Sequence, residues 1–134
     1  MHHARIGAET GQAKFQPLWE AYALYLAIAQ WSVYLEAHLG KLVLRGDAKG
    51  VLQAVVLKRA REPKLNAIVA EISLCLGGSM HQVEGAHWWS EQNELCDRLS
   101  RHYEGVPIPP ELSSVTRCRL RSREWKLYSL GLVL

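Results

Sequence analysis

A long apolar run near the start of the chain constrains its fold more than any other feature. Residues 17–35 carry apolar side chains at nearly every position around a helix, and Pro17 suits a first helical turn. A helix that is apolar on all sides has to be buried, so we expect this one inside the fold. Gln30 and Ser32 interrupt the run, and Glu20 and Glu36 bracket its most apolar part, which makes it too short and too polar for a membrane span.

Two shorter runs with a β-strand pattern follow. Each is flanked by segments whose apolar residues recur at helical spacing. Gly40 predicts the end of the first helix, and Glu62 and Pro63 interrupt the pattern between two later helices. Strands that alternate with helices favour parallel pairing through helical crossovers. The predicted fold class is therefore α/β, with a small parallel sheet flanked by helices. The predicted order is helix, strand, helix, helix, strand, helix, over residues 17–35, 41–45, 48–61, 65–76, 80–84 and 90–103.

The length and composition of the chain predict one ordinary globular domain. Its 134 residues suffice for one hydrophobic core, and 22% of them are charged. Residues 1–14 show no periodicity and predict a poorly ordered lead-in. We place the domain at residues 15–104, followed by a Pro- and Arg-rich tail at 105–134.

The charge and cysteine patterns bear on partners and location. The net charge of +3 is mild, but residues 41–64 hold seven Lys or Arg against two acids. Such a stretch suits a polyanion such as nucleic acid, or is simply a solvated face. The three cysteines Cys75, Cys96 and Cys118 are widely spaced without a CxxC pair, which predicts neither a zinc site nor a disulfide framework. With no apolar secretion signal after Met1, we expect an intracellular protein without a membrane association.

Three acids fall near the ends of predicted elements. Glu20 lies in the first turn of the buried helix, Asp47 follows the first strand, and Asp97 lies in the last helix. The residue after a strand of a parallel sheet lies at the edge where ligands bind. Three carboxylates that meet there would hold Mg²⁺ through oxygen. Isolated acids at such positions also occur as solvated or capping groups, and both interpretations remain open.

One block of sequence carries a family resemblance. In residues 87–101 (HWWSEQNELCDRLSR), His87 is followed six positions later by Asn93 and ten positions later by Asp97. This block resembles the last loop and helix of ribonuclease H-like domains. Its Asn-Glu-Leu-Cys-Asp segment is similar to cellular members, and its Asp-x-Leu-Ser-Arg ending is similar to retroelement reverse transcriptases.

Upstream segments resemble the same family in the family's own order. Residues 15–31 (FQPLWEAYALYLAIAQW) are similar to the first helix of the retroelement group, in which a Trp-Glu pair opens a run of Ala and Leu. Residues 42–51 (LVLRGDAKGV) resemble the following strand-Asp-helix step, and residues 63–72 (PKLNAIVAEI) the helix before the last strand. The likeness covers residues 15–101.

The resemblance implies a fold, a chemistry and a set of site residues. It implies a ribonuclease H-like fold that hydrolyses the RNA of RNA–DNA hybrids, within a reverse-transcriptase polyprotein of a retrotransposon. Glu20, Asp47 and Asp97 correspond to the second, third and fourth carboxylates of a two-magnesium site. His87 corresponds to the loop histidine that assists proton transfer or product release, and Asn93 to a polar group that supports the substrate or the metal.

The chain departs from the family pattern at its start. The family places its first metal-binding Asp on the first of three antiparallel strands that precede the Glu-bearing helix. Only about fifteen residues precede that helix here, and they contain Glu9 but no Asp. We therefore expect these N-terminal strands to be missing, the metal site to be incomplete, and residues 42–44 to form an exposed apolar edge open to pairing.

Aromatic and basic residues near the block leave alternatives open. Trp88 and Trp89 form either a hydrophobic lid or a stacking surface for nucleotides. His87 is either the family's loop histidine or a surface residue without a role. The arginines from Arg117 to Arg123 either follow phosphates or belong to a linker. The alternative to catalysis is a remnant of the fold that binds nucleic acid or protein without cutting.

Overall fold

The chain folds into helices around a two-stranded sheet. The structure is a computed structural model that describes residues 13–37, 40–77, 82–89 and 93–119. Within these ranges it contains five α-helices and two strands, with short 3₁₀ turns at Ala13–Phe15, His102–Glu104 and Pro110–Leu112. The elements are α1 (Gln16–Gln30), α2 (Ser32–Ala37), β1 (Lys41–Gly46), α3 (Lys49–Leu57), α4 (Pro63–Leu76), β2 (Gln82–His87) and α5 (Glu94–Ser100).

The sheet confirms the predicted α/β class in its coarse form. β1 and β2 are parallel and pair in register from Lys41 with Gln82 to Gly46 with His87. Helices α3 and α4 form the crossover between the two strands. Because the strands are parallel, their carboxyl ends meet at one edge, where Gly46 and His87 are partners.

The core lies where α1, α3 and α4 meet the inner face of the sheet. Ile68, Val69 and Ile72 on α4 are completely buried, and Tyr25 of α1 is nearly so. These residues of α4 recur at the helical spacing on which the helix over residues 65–76 was predicted. Leu44 of β1 joins the same cluster.

The predicted first helix is interrupted at Trp31. The backbone there departs from helical geometry (φ −97°, ψ 9°), and α2 resumes at Ser32. None of the side chains of α2 is buried, and Tyr34 is 74% exposed. The expectation of burial holds for the face of α1 that packs against α4, which includes Leu18, Tyr25 and Ile28. It is wrong for other positions of α1, such as the exposed Ala23, and for the second half of the run.

Local chemistry fixes the boundary between α3 and α4. Lys58 adopts a left-handed conformation (φ 59°) that ends α3 before the predicted residue 61. The Glu62 carboxylate then accepts a hydrogen bond from the backbone N–H of Leu65 at 2.6 Å. Pro63 occupies the first turn, where its missing N–H costs nothing.

The inner face of the sheet packs against α3 through a glycine. A Cβ atom at Gly85 would lie 3.2 Å from the Cβ of Leu52 and 3.5 Å from a methyl of Val56. This close approach brings β2 against α3 and explains why a glycine interrupts the strand. Side chains of the outer face include Lys41 and Glu84, which form a salt bridge of 2.8 Å.

Strand β1 has β2 on one side only among the described residues. Leu44 is buried by the helices, Leu42 is half-buried, and Val43 is 39% exposed. The predicted exposed apolar edge is therefore limited to Val43 and the backbone. None of the helices in the described part of the chain has the length and apolar character that crossing a bilayer requires.

Candidate functional site at the carboxyl ends of the strands

Two of the predicted acids lie around one cavity at the carboxyl end of β1. Glu20 of α1 and Asp47, which follows β1, both line a cavity of about 610 Å³ together with Gln16 and Gly50. The same two residues also line a second cavity of about 530 Å³ that extends along β1. Glu20 and Asp47 therefore stand where the two cavities adjoin.

Local structure positions both of these residues. Gln16 lies one turn before Glu20, and its side-chain amide donates a hydrogen bond of 3.0 Å to the Glu20 carboxylate. At Asp47 it is the backbone oxygen that accepts hydrogen bonds, from the N–H of Lys49 at 3.1 Å and from the ring of His87 at 3.0 Å. These contacts hold the backbone of Asp47 beside the cavity that this residue lines.

The resemblance had implied a loop position for His87, but in the structure His87 is the last residue of β2. A carbonyl oxygen can only accept, so the contact with the Asp47 oxygen requires the proton of His87 on Nε2. In the neutral ring Nδ1 is then the nitrogen with a free lone pair. The ring also packs edge-on against Trp89, with centroids 4.6 Å apart.

Trp88 and Trp89 take different positions after β2. The backbone N–H of Trp88 donates to the oxygen of Gly46 at 2.7 Å, which extends the strand pairing by one bond. Its ring lines the second cavity and has the guanidinium of Arg45 at 5.0 Å from its centroid. Trp89 is 64% exposed. Trp88 thus forms a wall of the cavity, while Trp89 remains accessible from solvent.

The last helix places Asn93 and Asp97 differently. Asn93 precedes α5 and lines the second cavity together with Cys96, so it shares that cavity with Glu20 and Asp47. Asp97 is not among the lining residues of either cavity, and it forms an ion pair of 3.4 Å with Arg101 one turn later. The structure therefore places two of the three predicted acidic residues around the same cavities.

The predicted three-carboxylate cluster is not formed in this structure. Within residues 13–37, 40–77, 82–89 and 93–119, no three His, Cys, Asp or Glu side chains are grouped so that they could hold a metal ion. A Mg²⁺ ion is often bound by one or two carboxylates while water and phosphate complete its shell. Of the three predicted carboxylate residues, Glu20 and Asp47 are the two that line a common cavity.

The sequence alone did not identify Gln16 and Arg45 as residues of this region. The spacing of four between Gln16 and Glu20 is a signal of helical pairing that sequence reasoning could have used. The stacking of Arg45 on Trp88 has no such local signal, because 43 positions separate the two residues.

Other predicted features lie outside the described residues. These are the lead-in before residue 13, including Glu9, and the tail arginines Arg121 and Arg123. Comparisons of the chain with models of protein families, with curated proteins and with solved structures find no significant match.

Proposed function

We propose that this chain is a ribonuclease H-type domain that acts on RNA–DNA hybrids by magnesium-dependent hydrolysis of phosphodiester bonds. The observation that carries the proposal is the meeting of Glu20 and Asp47 at one cavity beside the carboxyl end of a parallel strand pair. These are two of the residues that the resemblance assigns to the metal site. The finer fold assignment, a ribonuclease H-like domain of a retrotransposon reverse transcriptase that lacks its N-terminal strands, belongs to the same proposal.

Glu20 and Asp47 would hold the metal ion, and Gln16 would fix the orientation of the Glu20 carboxylate. A bound Mg²⁺ ion supplies charge neutralisation at a phosphate and acidifies a bound water. A substrate phosphate approaching this edge would meet Arg45 and Lys49, which are both exposed there. These cations offset the charge of the two carboxylates and favour a polyanionic substrate.

His87 would contribute as an acid or base through Nδ1. Its Nε2 proton is held by the Asp47 backbone oxygen, so a proton exchanged with substrate or water would use the other nitrogen. Packing against Trp89 limits the rotation of the ring. Asn93, at the same cavity, would donate or accept a hydrogen bond at the substrate.

A second candidate function is binding of nucleic acid without cleavage. The ion pair between Asp97 and Arg101 favours it, because this acid is directed to the cation that follows its own helix. The exposed Trp89 and the pair of Arg45 and Trp88 would then contact bases and phosphates.

One assay separates the two functions. The purified full chain is incubated with an end-labelled RNA–DNA hybrid with and without Mg²⁺, alongside Asp47→Asn and the control Glu36→Gln. Glu36 is exposed on α2 and lines neither cavity. For hydrolysis we expect magnesium-dependent cleavage that Asp47→Asn reduces by about 10²-fold or more and Glu36→Gln leaves unchanged.

The other outcomes are equally informative. Saturable binding of the hybrid by all three proteins without cleavage would favour the second candidate. If the chain neither bound nor cleaved the hybrid, both candidate functions would be contradicted. Because the hydrogen bonds shown at Asp47 use its backbone oxygen, Asp47→Asn should keep the thermal melting temperature of the parent chain.

A further inference from the structure

A third cavity lies beside the cavity of about 610 Å³ that Glu20 and Asp47 line, which we call the acidic cavity. This third one, the Phe15 cavity, has a volume of about 300 Å³ and shares Pro17 and Leu65 with the acidic cavity. Its lining includes Lys14, Phe15, Pro17, Glu62, Lys64 and Leu65. The two cavities are therefore neighbours on the surface of the molecule.

Two lysines contact the ring of Phe15 beside this cavity. The side-chain nitrogen of Lys14 lies 4.8 Å from the ring centroid, and that of Lys64 lies 5.9 Å from it. Both distances are within the range of a cation–π contact, which restricts the rotamers of these long side chains. An ammonium group in such a contact keeps its charge and its hydrogen-bond donors. The ring thus gathers two cations at one cavity, although 50 positions separate them in the sequence.

The acid at this cavity does not neutralise the pair of lysines. Glu62 also lines the Phe15 cavity, but its carboxylate accepts a hydrogen bond of 2.6 Å from the backbone N–H of Leu65 and so caps α4. Two cations against one acid leave the cavity with a positive charge that attracts anions. The ligand expected at this cavity is therefore an anion, such as a phosphate.

The three cavities follow one another along α1. Phe15 lines the first, Glu20 lines the acidic cavity and the second cavity, and Trp31 lines the second cavity alone. Arg45 stacks on Trp88 at the second cavity. Cations therefore lie before and after the two acids in the direction of this helix. A ligand with a single phosphate would reach one of these places, whereas a strand of nucleic acid reaches them all.

The distance between the cavities suits such a strand. Phe15 and Glu20 are five positions apart at the start of α1, which is about 7.5 Å along a helix axis. The phosphates of one strand follow one another about every 3.4 Å along the axis of a duplex. A strand with a phosphate at Glu20 therefore reaches the Phe15 cavity about two nucleotides further on.

We propose that Lys14 and Lys64 bind backbone phosphates of the nucleic-acid strand whose scissile phosphate lies at the acidic cavity. This subsite rests on the proposed function, because it takes the same ligand, and it adds the path of the strand along α1. Lysine contacts with phosphates carry no information about base sequence. The subsite therefore sets the affinity and the position of the strand, and leaves its sequence preference unchanged.

The salt dependence of binding measures these contacts. Binding of a fluorescently labelled RNA–DNA hybrid to the full chain is followed by anisotropy over a series of KCl concentrations. Divalent cations are left out, so that the hybrid stays intact and Mg²⁺ does not act as a counterion. Each lost phosphate contact lowers the slope of log Kd against log salt by about 1. The double variant Lys14→Gln with Lys64→Gln should bind more weakly and lower this slope by about 2.

Two matched variants make the result specific. Lys58 lines a cavity together with Gln82, the first residue of β2, so it lies at the edge of the sheet opposite the acidic cavity, and Arg59 follows it. Lys58→Gln with Arg59→Gln removes the same charge and should leave the slope unchanged. Lys14→Arg with Lys64→Arg keeps both cations beside the ring and should keep the parent slope. The thermal melting temperature of each variant should match that of the parent chain.

Three results would overturn the subsite. An unchanged slope in the Lys14→Gln and Lys64→Gln variant would do so, while magnesium-dependent cleavage by the parent chain would keep the proposed function standing. An equal loss in the Lys58→Gln and Arg59→Gln variant would mean that net charge alone sets the affinity. A loss in the arginine variant would mean that the substitutions act through the packing of Phe15. Absence of hybrid binding by the parent chain would instead contradict the proposed function, and the subsite with it.

Discussion

The helical body of α1 and α4 and the region of α5 differ in how firmly their side chains are held. α4 has four residues that are completely shielded from solvent, whereas none of the residues of α5 is buried. Leu95 and Leu99, one turn apart on α5, remain 40% and 42% exposed. A helix of seven residues has little intrinsic stability, so α5 depends on contacts that its surroundings provide only in part.

This difference explains which site residues come together. Glu20 is carried by the packed helix α1, and Asp47 follows a strand whose Leu44 belongs to the core. Their positions follow from the burial of their neighbours. Asp97 lies on α5, where a local ion pair with Arg101 satisfies it. Packing thus positions two carboxylates, while the third depends on the least anchored helix.

The largest expected effect contrasts the two regions directly. Ile72→Ala removes a completely buried side chain from α4 and should lower the free energy of unfolding by about 2–5 kcal/mol. Leu95→Ala on α5 should cost less than about 1 kcal/mol, because its side chain is already partly in water. Urea denaturation of both variants and the parent chain measures this. Equal losses would mean that α5 is packed as firmly as α4.

A second substitution sharpens the comparison at the sheet. Gly85→Val places a branched side chain against Leu52 of α3, where even a Cβ atom would lie at 3.2 Å. We expect a loss of about 1–3 kcal/mol from overpacking, measured by urea denaturation. Gly46→Ala is the matched control, since its Cβ would meet nothing within 4 Å. A neutral Gly85→Val would show that α3 is free to move away from the sheet.

Much of the fold could be predicted from local patterns. The order of elements is confirmed, and β1 extends only one residue beyond its prediction at 41–45. The helix predicted over residues 65–76 is α4, which begins two residues earlier at Pro63. These features follow from the periodicity of apolar side chains within a short window. The parallel pairing followed from the alternation of strands and helices.

Other features depend on contacts that are distant in sequence. β2 was predicted at 80–84 and occupies Gln82–His87, because pairing with β1 extends the strand through Gly85, a residue that weakens a strand pattern. His87 therefore ends a strand and contacts Asp47. The metal cluster could not be settled from residue types, since the position of Asp97 depends on how α5 packs.

The smallest expected effect concerns the ion pair on α5. Both side chains are well exposed, at 38% for Asp97 and 59% for Arg101, so water and salt screen their attraction. A double-mutant cycle of Asp97→Asn and Arg101→Ala, measured by urea denaturation, should give a coupling of about 0.3–0.5 kcal/mol that shrinks in high salt. A coupling well above 1 kcal/mol would mean that this pair anchors α5. Asp97 would then be held as firmly as Glu20 and Asp47, and differential packing would no longer explain why it lies apart from them.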